Sequence, residues 1–242
     1  MSSPHLALVG LIFLLVGPYL PSQAQEADST EKENTDIKRR YVENFNALMN
    51  TFDESYEGLK GSPMVSPTFV KGVVVTNRNA RKAFEQLNYE AFQNEVVSLN
   101  EKGNVEFLPK KLMSTFCLYN FGGQDSVLFK KFRSQEDQHV FFGQVLYSGE
   151  SIYIKKYEKY IQEADYQGLY SADIPYDEFK DRIKYFSVGK TGKMTPFKAS
   201  KKGLEKLFPE KKSQIKAYWR KHYPNLKSDI ALTRALEILV GE

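Results

Sequence analysis

Cysteine occurs once in the 242 residues, at Cys117, and histidine three times. A lone cysteine excludes an intramolecular disulfide, a Cys-rich zinc module and a CxxC redox site. Beyond the N-terminal segment only His139 and His222 are left, too few for a metallohydrolase with dense His ligation. The chain has no HExxH, GxSxG, GxxxxGK(S/T) or GxGxxG motif, so the common local signatures of zinc proteases, α/β-hydrolases, P-loop enzymes and dinucleotide-binding folds are missing. After residue 24 no segment approaches the roughly 18 consecutive apolar residues that a helical membrane span needs. No fixed-period repeat is found. With 41% apolar and 26% charged residues, the composition is that of an ordinary globular chain rather than collagen, coiled coil or a disordered polymer.

What is present in excess is aromatic: 15 Tyr and 17 Phe bring the aromatic share to 14%. Rings pack well on a pleated surface, so this content favours strands. The N-terminus reads as an export signal over residues 1–24. Leu6–Val16 is an apolar run of h-region length, Pro18 and Pro21 break it, and Ser22 and Ala24 place small residues before a cut after Ala24. The n-region carries no Lys or Arg. Residues 25–35 form an acidic tether with little to bury, expected to be disordered. Over 36–57, Ile37, Tyr41, Phe45, Leu48, Met49 and Phe52 make one stripe at helical spacing, which predicts an amphipathic helix and linker.

From 58 to 199 the pattern is β. Val70–Thr76, Phe92–Leu99, Val105–Leu108, Leu112–Tyr119, Ser126–Phe132, Val140–Tyr147, Tyr185–Val188 and Met194–Phe197 are β-rich and separated by short turns, most of them Gly-bearing. Such turns demand antiparallel pairing. Ala80–Tyr89 reads as strand or loop. Residues 151–166 fit both periods; a hairpin turn before them and their Tyr and Ile content decide for strand. Asp165–Asp181 reads as loop. The end, 200–242, is helical: Ser200 caps a first helix, Pro209 opens a second that Pro224 ends, and Ser228 caps a third. The expected fold class is α+β, a curved antiparallel sheet made as a meander of hairpins, with an N-terminal helix and a three-helix basic tail packed on it.

Several residues could carry chemistry. His139 follows Glu136 and Asp137, a carboxylate near an imidazole, but the setting is that of a solvated turn. His222 suits a helix C-terminus, where a cation complements the dipole. Cys117 lies between Phe116 and Leu118 and is expected to be buried and inert. Residues 200–242 hold ten Lys or Arg and five acids. Within them Lys212, Lys216 and Arg220 form a helical stripe that can meet an anionic surface. Tyr147, Tyr153, Tyr157, Tyr160, Tyr166, Tyr170 and Tyr176 crowd one stretch; of these Tyr153, Tyr157 and Tyr160 are candidates for a ligand groove. The sequence names no catalytic residue, no metal ligand and no cofactor.

Four segments carry a family likeness: Gly61-Ser62-Pro63 with Phe69-Val70-Lys71-Gly72, Val145-Leu146-Tyr147 with Gly149 and Lys155-Lys156-Tyr157, Lys184-Tyr185-Phe186, and Leu204–Ile215 around Leu207-Phe208-Pro209-Glu210-Lys211-Lys212. Over roughly 58–242 the chain resembles a group of uncharacterised secreted β-rich proteins of Bacteroidetes-type bacteria. It departs from them at Ala80–Tyr89 and in the helical stripe before Gly58. The resemblance implies an exported β-rich protein with a helical tail and carries over no catalytic residue. The expected function is therefore that of a non-enzymatic periplasmic or extracellular protein binding a protein, lipid or glycan, with no nucleic-acid partner and no membrane span once the signal is cut. The alternative is a secreted hydrolase with a carboxylate pair, in which Glu136 or Asp137 would meet Asp173, Asp177 or Glu178.

Overall fold

A computed structural model describes residues 50, 51, 56, 59–164 and 176–241. The signal, the tether and nearly all of the helix expected over 36–57 lie outside the described residues. At Asn50–Thr51, however, the backbone is a two-residue strand, β1, paired with Phe107 and Glu106, so the helix does not run through these positions.

The architecture is α+β, with one antiparallel sheet of 11 strands. After β1 come β2 (Val70–Thr76), β3 (Arg81–Glu90), β4 (Glu95–Leu99) and β5 (Val105–Phe107). Then follow β6 (Met113–Phe121), β7 (Gln124–Arg133), β8 (Val140–Ser148), β9 (Ile152–Gln162), β10 (Glu178–Val188) and β11 (Met194–Phe197). Two meanders, β2 to β5 and β6 to β11, are joined because β2 pairs with β6: Val74 lies opposite Phe116 and Gly72 opposite Leu118. Between β6 and β7 the turn needs positive φ at Asn120, Gly122 and Gly123 (53°, 60° and 75°), which glycine adopts without steric cost.

The strand segments follow their composition where alternation is clean. In β6, Phe116 and Leu118 are buried and Cys117 between them is only partly buried; the expected burial of the cysteine fails because it lies on the face opposite to Phe116 and Leu118. Ala80–Tyr89 is resolved as strand from Arg81. Phe92, expected in a strand, sits instead in the turn Ala91–Asn94, which Asn94 closes with φ 62°. The loop expected up to Asp181 ends early, because β10 starts at Glu178 and pairs residue by residue with β9. Residues 181–184, Asp-Arg-Ile-Lys, are exposed, so the apolar alternation that marks a half-buried strand is missing there. Residues 152–162 are strand, as expected.

The sheet curls until distant strands meet. Residues 59–65 work as a strap. Lys60 N donates to Asp177 O and Phe179 N to Lys60 O, both at 2.9 Å, while Val65 N donates to Tyr89 O (2.8 Å) and Ala91 N to Pro63 O (2.9 Å). One short segment thus ties the start of β10 to the end of β3. Inside the curl lies an aromatic core: Tyr89, Phe116, Phe129 and Phe142 are all fully buried. Phe116 stacks on Phe129 at 4.6 Å with the rings 5° from parallel. Gly72 allows the closest approach here. A Cβ on it would lie 2.5 Å from Cys117 O and 2.6 Å from Leu87 Cδ2. Gly72→Ala should therefore cost about 1–3 kcal/mol by overpacking, read as a drop in melting temperature.

Three helices follow the sheet: α1 (Lys201–Leu207), α2 (Lys212–His222, entered through a 3-10 turn at Pro209–Lys211) and α3 (Asp229–Val240). Ser200 caps α1 by accepting from Gly203 N at 3.1 Å. Ser228 holds the N-cap position of α3 but makes no side-chain capping bond. Leu204, Ile215, Tyr218, Leu232, Leu236 and Leu239 bury one face of each helix together and against Leu146 and Tyr153 of the sheet. A short amphipathic helix gains most of its stability from such burial.

Candidate functional site

Two places on the molecule combine exposure with chemistry. The first is the outer face of α2. Ile215 and Tyr218 turn inward, and Lys212, Lys216 and Arg220 turn out to solvent. The helix sequence, KSQIKAYWRKH, contains no acid. None of these three cations is paired with a carboxylate among the described residues. Lys211, next to them in sequence, is used differently: its Nζ donates to Leu239 O and ties α2 to α3 at that end. His222 packs its ring on Tyr218 at 4.8 Å.

The second place is a split inside the sheet. β8 and β9 pair from Ser148/Ile152 as far as Gln144/Lys155. Beyond that point Val140–Gly143 pair only with β7, and β9 pairs only with β10. The β3–β4 turn enters this opening. Tyr89 OH donates to Asn94 Oδ1 at 2.6 Å, Phe142 N donates to the same oxygen at 3.3 Å, and Asn94 Nδ2 donates to Val140 O at 2.6 Å. The amide of Asn94 thus replaces a neighbouring strand along the β8 edge, which leaves no buried polar group there to pay a desolvation cost. Its Nδ2 is also 3.3 Å from His139 Nε2. An amide nitrogen can only donate, so in this contact Nδ2 is the donor.

What the plug does not fill is a cleft of about 190 Å³, lined by Ala91, Phe92 and His139 on one side and by Lys156–Tyr160 and Arg182 on the other. Glu158 accepts from Lys156 at 2.8 Å and from Lys184 at 2.8 Å. Burial raises the pKa of Glu158, but the two ammonium groups outweigh it and the carboxyl stays below its ordinary value. Arg182, the register partner of Glu158, lies over the Tyr160 ring at 4.5 Å. No carboxylate among the described residues pairs with it.

The tyrosines proposed for one groove are not gathered there. Alternation along β9 sends Tyr153 and Tyr157 to the inner face. Tyr153 packs on Phe208 and Phe197 under the helices, and Tyr157 packs on Phe129 with its OH donating to Gln144 Oε1 at 2.7 Å. Tyr160, at an even position, is exposed on the other face beside Arg182. Lys212, Lys216 and Arg220 share α2, so the six candidates do not form a single site.

Of the five acids expected to converge, Glu136 is exposed in the turn before His139, and three others are occupied locally. Asp137 is held below the usual carboxylate range by Ser134 and by the backbone N–H of His139. Asp177 accepts from Ala164 N at 2.7 Å, and Glu178 pairs with Lys180; Asp173 lies outside the described residues. Burial pushes the Cys117 thiol up, away from thiolate chemistry at neutral pH. Among the described residues no three His, Cys, Asp or Glu side chains are placed to hold a metal ion, and no helix is long and apolar enough to cross a membrane. No family model, curated protein or solved structure matches the chain.

Arg182, Phe92 and Asn94 had no sequence signal of their own. The register of β9 on β10 brings Arg182 to Glu158, and the split in the sheet brings Phe92 and Asn94 opposite them.

Proposed function

We propose that the protein is an exported, non-enzymatic binding protein that attaches to an anionic envelope surface through the outer face of α2. The Leu6–Val16 segment and the likeness to secreted β-rich proteins support export. The observation that carries the reading is the acid-free α2, with Lys212, Lys216 and Arg220 exposed along one stripe and unpaired among the described residues. A rigid helix fixes the three charges at successive turns, so they can meet one surface together without reordering. Each cation near an anionic lipid surface is worth about 1 kcal/mol. Three therefore suffice for reversible association and not for permanent anchoring.

The test is co-sedimentation with phosphatidylglycerol vesicles, with phosphatidylcholine vesicles as the neutral control, across a salt series. Retention should fall as salt rises, because exposed charges are screened over about 8–10 Å at physiological ionic strength. The triple reversal Lys212→Glu, Lys216→Glu, Arg220→Glu should lower the partition coefficient by about a hundredfold or more. Equal retention of wild type and triple variant, or equal retention on both lipids, would refute the reading.

A further inference from the structure

We infer that the split between β8 and β9 is a second binding site, separate from α2, which takes a compact organic oxyanion with a flat apolar body. Four observations converge on the same small volume. The first is the opening itself. Strands paired from Ser148/Ile152 to Gln144/Lys155 separate while each keeps its other neighbour, so one wall of the cleft is built into the sheet, and the β3–β4 turn and His139 form the other.

The second is how differently the two rims are satisfied. On the β8 side Asn94 and Tyr89 occupy Val140 O, Phe142 N and Phe142 O. On the β9 side no bond from β8 or from the β3–β4 turn reaches the backbone of Lys156–Gln162 among the described residues. That rim offers strand-edge donors and acceptors to whatever enters.

The third is charge. Lys156, Lys184 and Arg182 surround the single carboxylate of Glu158, and both of its oxygens are used by the lysines. Arg182 is left over. Its guanidinium rests on the Tyr160 ring, which holds the planar group in place. A guanidinium fixed in this way presents paired N–H donors that match the two oxygens of a carboxylate or a phosphate. Across the cleft the His139 side chain forms part of the opposite wall.

The fourth is the wall. Phe92 is 38% exposed and Tyr160 37% exposed, and both line the cleft. Phe92 is held from behind by Phe179 at 5.4 Å and Tyr56 at 5.9 Å. A rigid ring facing an anion-binding group selects a ligand with an apolar body on its charged head. Size sets the limit. About 190 Å³ is below the roughly 300–1,000 Å³ of drug-sized sites, so the body is a single ring or smaller.

The experiment is a titration of the full chain, isotope-labelled, followed by amide chemical shifts, with three probes: benzoate, phenyl phosphate and benzyl alcohol. Benzoate or phenyl phosphate should give saturable shifts confined to Ala91–Asn94, His139–Val140, Lys156–Tyr160 and Arg182, and comparing the two tells which oxyanion head fits better. Benzyl alcohol, with the ring and no charge, should not. Arg182→Gln lies at an exposed position and should keep the melting temperature while weakening the better probe about tenfold. The triple α2 reversal should bind that probe like wild type, which separates this site from the vesicle-binding face. Equal binding of benzyl alcohol, unchanged affinity in Arg182→Gln, or shifts spread over surface cations including α2 would overturn the assignment.

Discussion

Replacing Asp229 by Ala should cost the fold about 3–5 kcal/mol, the range for stripping one partner from a buried ion pair. Asp229 opens α3 and reaches the sheet. Lys155 Nζ donates to its two oxygens at 2.8 and 2.9 Å, and Gln144 Nε2 donates to Oδ2 at 3.1 Å. The network continues as Tyr157 OH donates to Gln144 Oε1. The two charged side chains are only 10% and 14% exposed. The helix dipole adds to the effect, because a carboxylate in the first turn meets the positive end of α3. Without Asp229 the Lys155 ammonium keeps only the Tyr157 ring, at 4.6 Å, and Gln144 loses its acceptor. Urea unfolding should show the loss as a lower midpoint with an unchanged slope. Lys155→Met in the Asp229→Leu background should recover most of it, since an apolar pair of similar volume carries no orphaned charge. A midpoint shift under 1 kcal/mol for Asp229→Ala would mean that the helices are held by their apolar faces alone.

That network shows where sequence reading stops. Strand β2, with clean alternation, could be read from its residues, and β6, β7 and β8 from their β-branched and aromatic content, although β8 is buried on both faces over Phe141–Gln144. So could the three helices, whose leucines recur at helical spacing. β10 could not be read over its first half, since Asp181–Lys184 are exposed and only their register with β9 makes them strand. Tyr153, Tyr157 and Tyr160 looked like one group because tyrosines crowd that stretch; strand alternation divides them between two surfaces. The cations of α2 were legible because helical periodicity alone sets them in a row. The cleft was not. It depends on where two paired strands part and on a turn from elsewhere in the chain entering the gap, and neither is a property of a local window. Lys155 is the sharpest case. In sequence it is one more lysine of a Lys-Lys-Tyr run, and only the fold shows that it is buried against Asp229, 74 positions away.

Stability should fall by up to about 3 kcal/mol as pH rises from roughly 4.5 to 8, and Glu90 should account for most of it. Glu90 closes β3, fully buried. Burial pushes its carboxyl up to about 7, against the relief given by the backbone N–H groups of Gln93 and Phe92 and by Tyr56. Gln93 N donates at 2.8 Å and Phe92 N at 3.2 Å, and no cation is among its hydrogen-bonding or charge partners. In the unfolded chain the group titrates near its ordinary value. Between the two pKa values the folded state binds more protons than the unfolded state, so the contribution to stability is complete below about 4.5 and is lost as pH rises through about 7. Asp137 and Glu158 act with the opposite sign, because their folded pKa values are depressed. What they contribute is present at neutral pH and lost in acid, so the net dependence between pH 5 and 8 belongs to Glu90. Denaturation midpoints measured across that range should slope downward for wild type and be nearly flat for Glu90→Gln, whose neutral amide has nothing to titrate. The amide offers one oxygen to two N–H donors, so its absolute stability below pH 5 should be lower than that of wild type. If the slope persists unchanged in Glu90→Gln, the pH dependence arises elsewhere and the carboxyl of Glu90 is solvated more than its burial in the curl of the sheet implies.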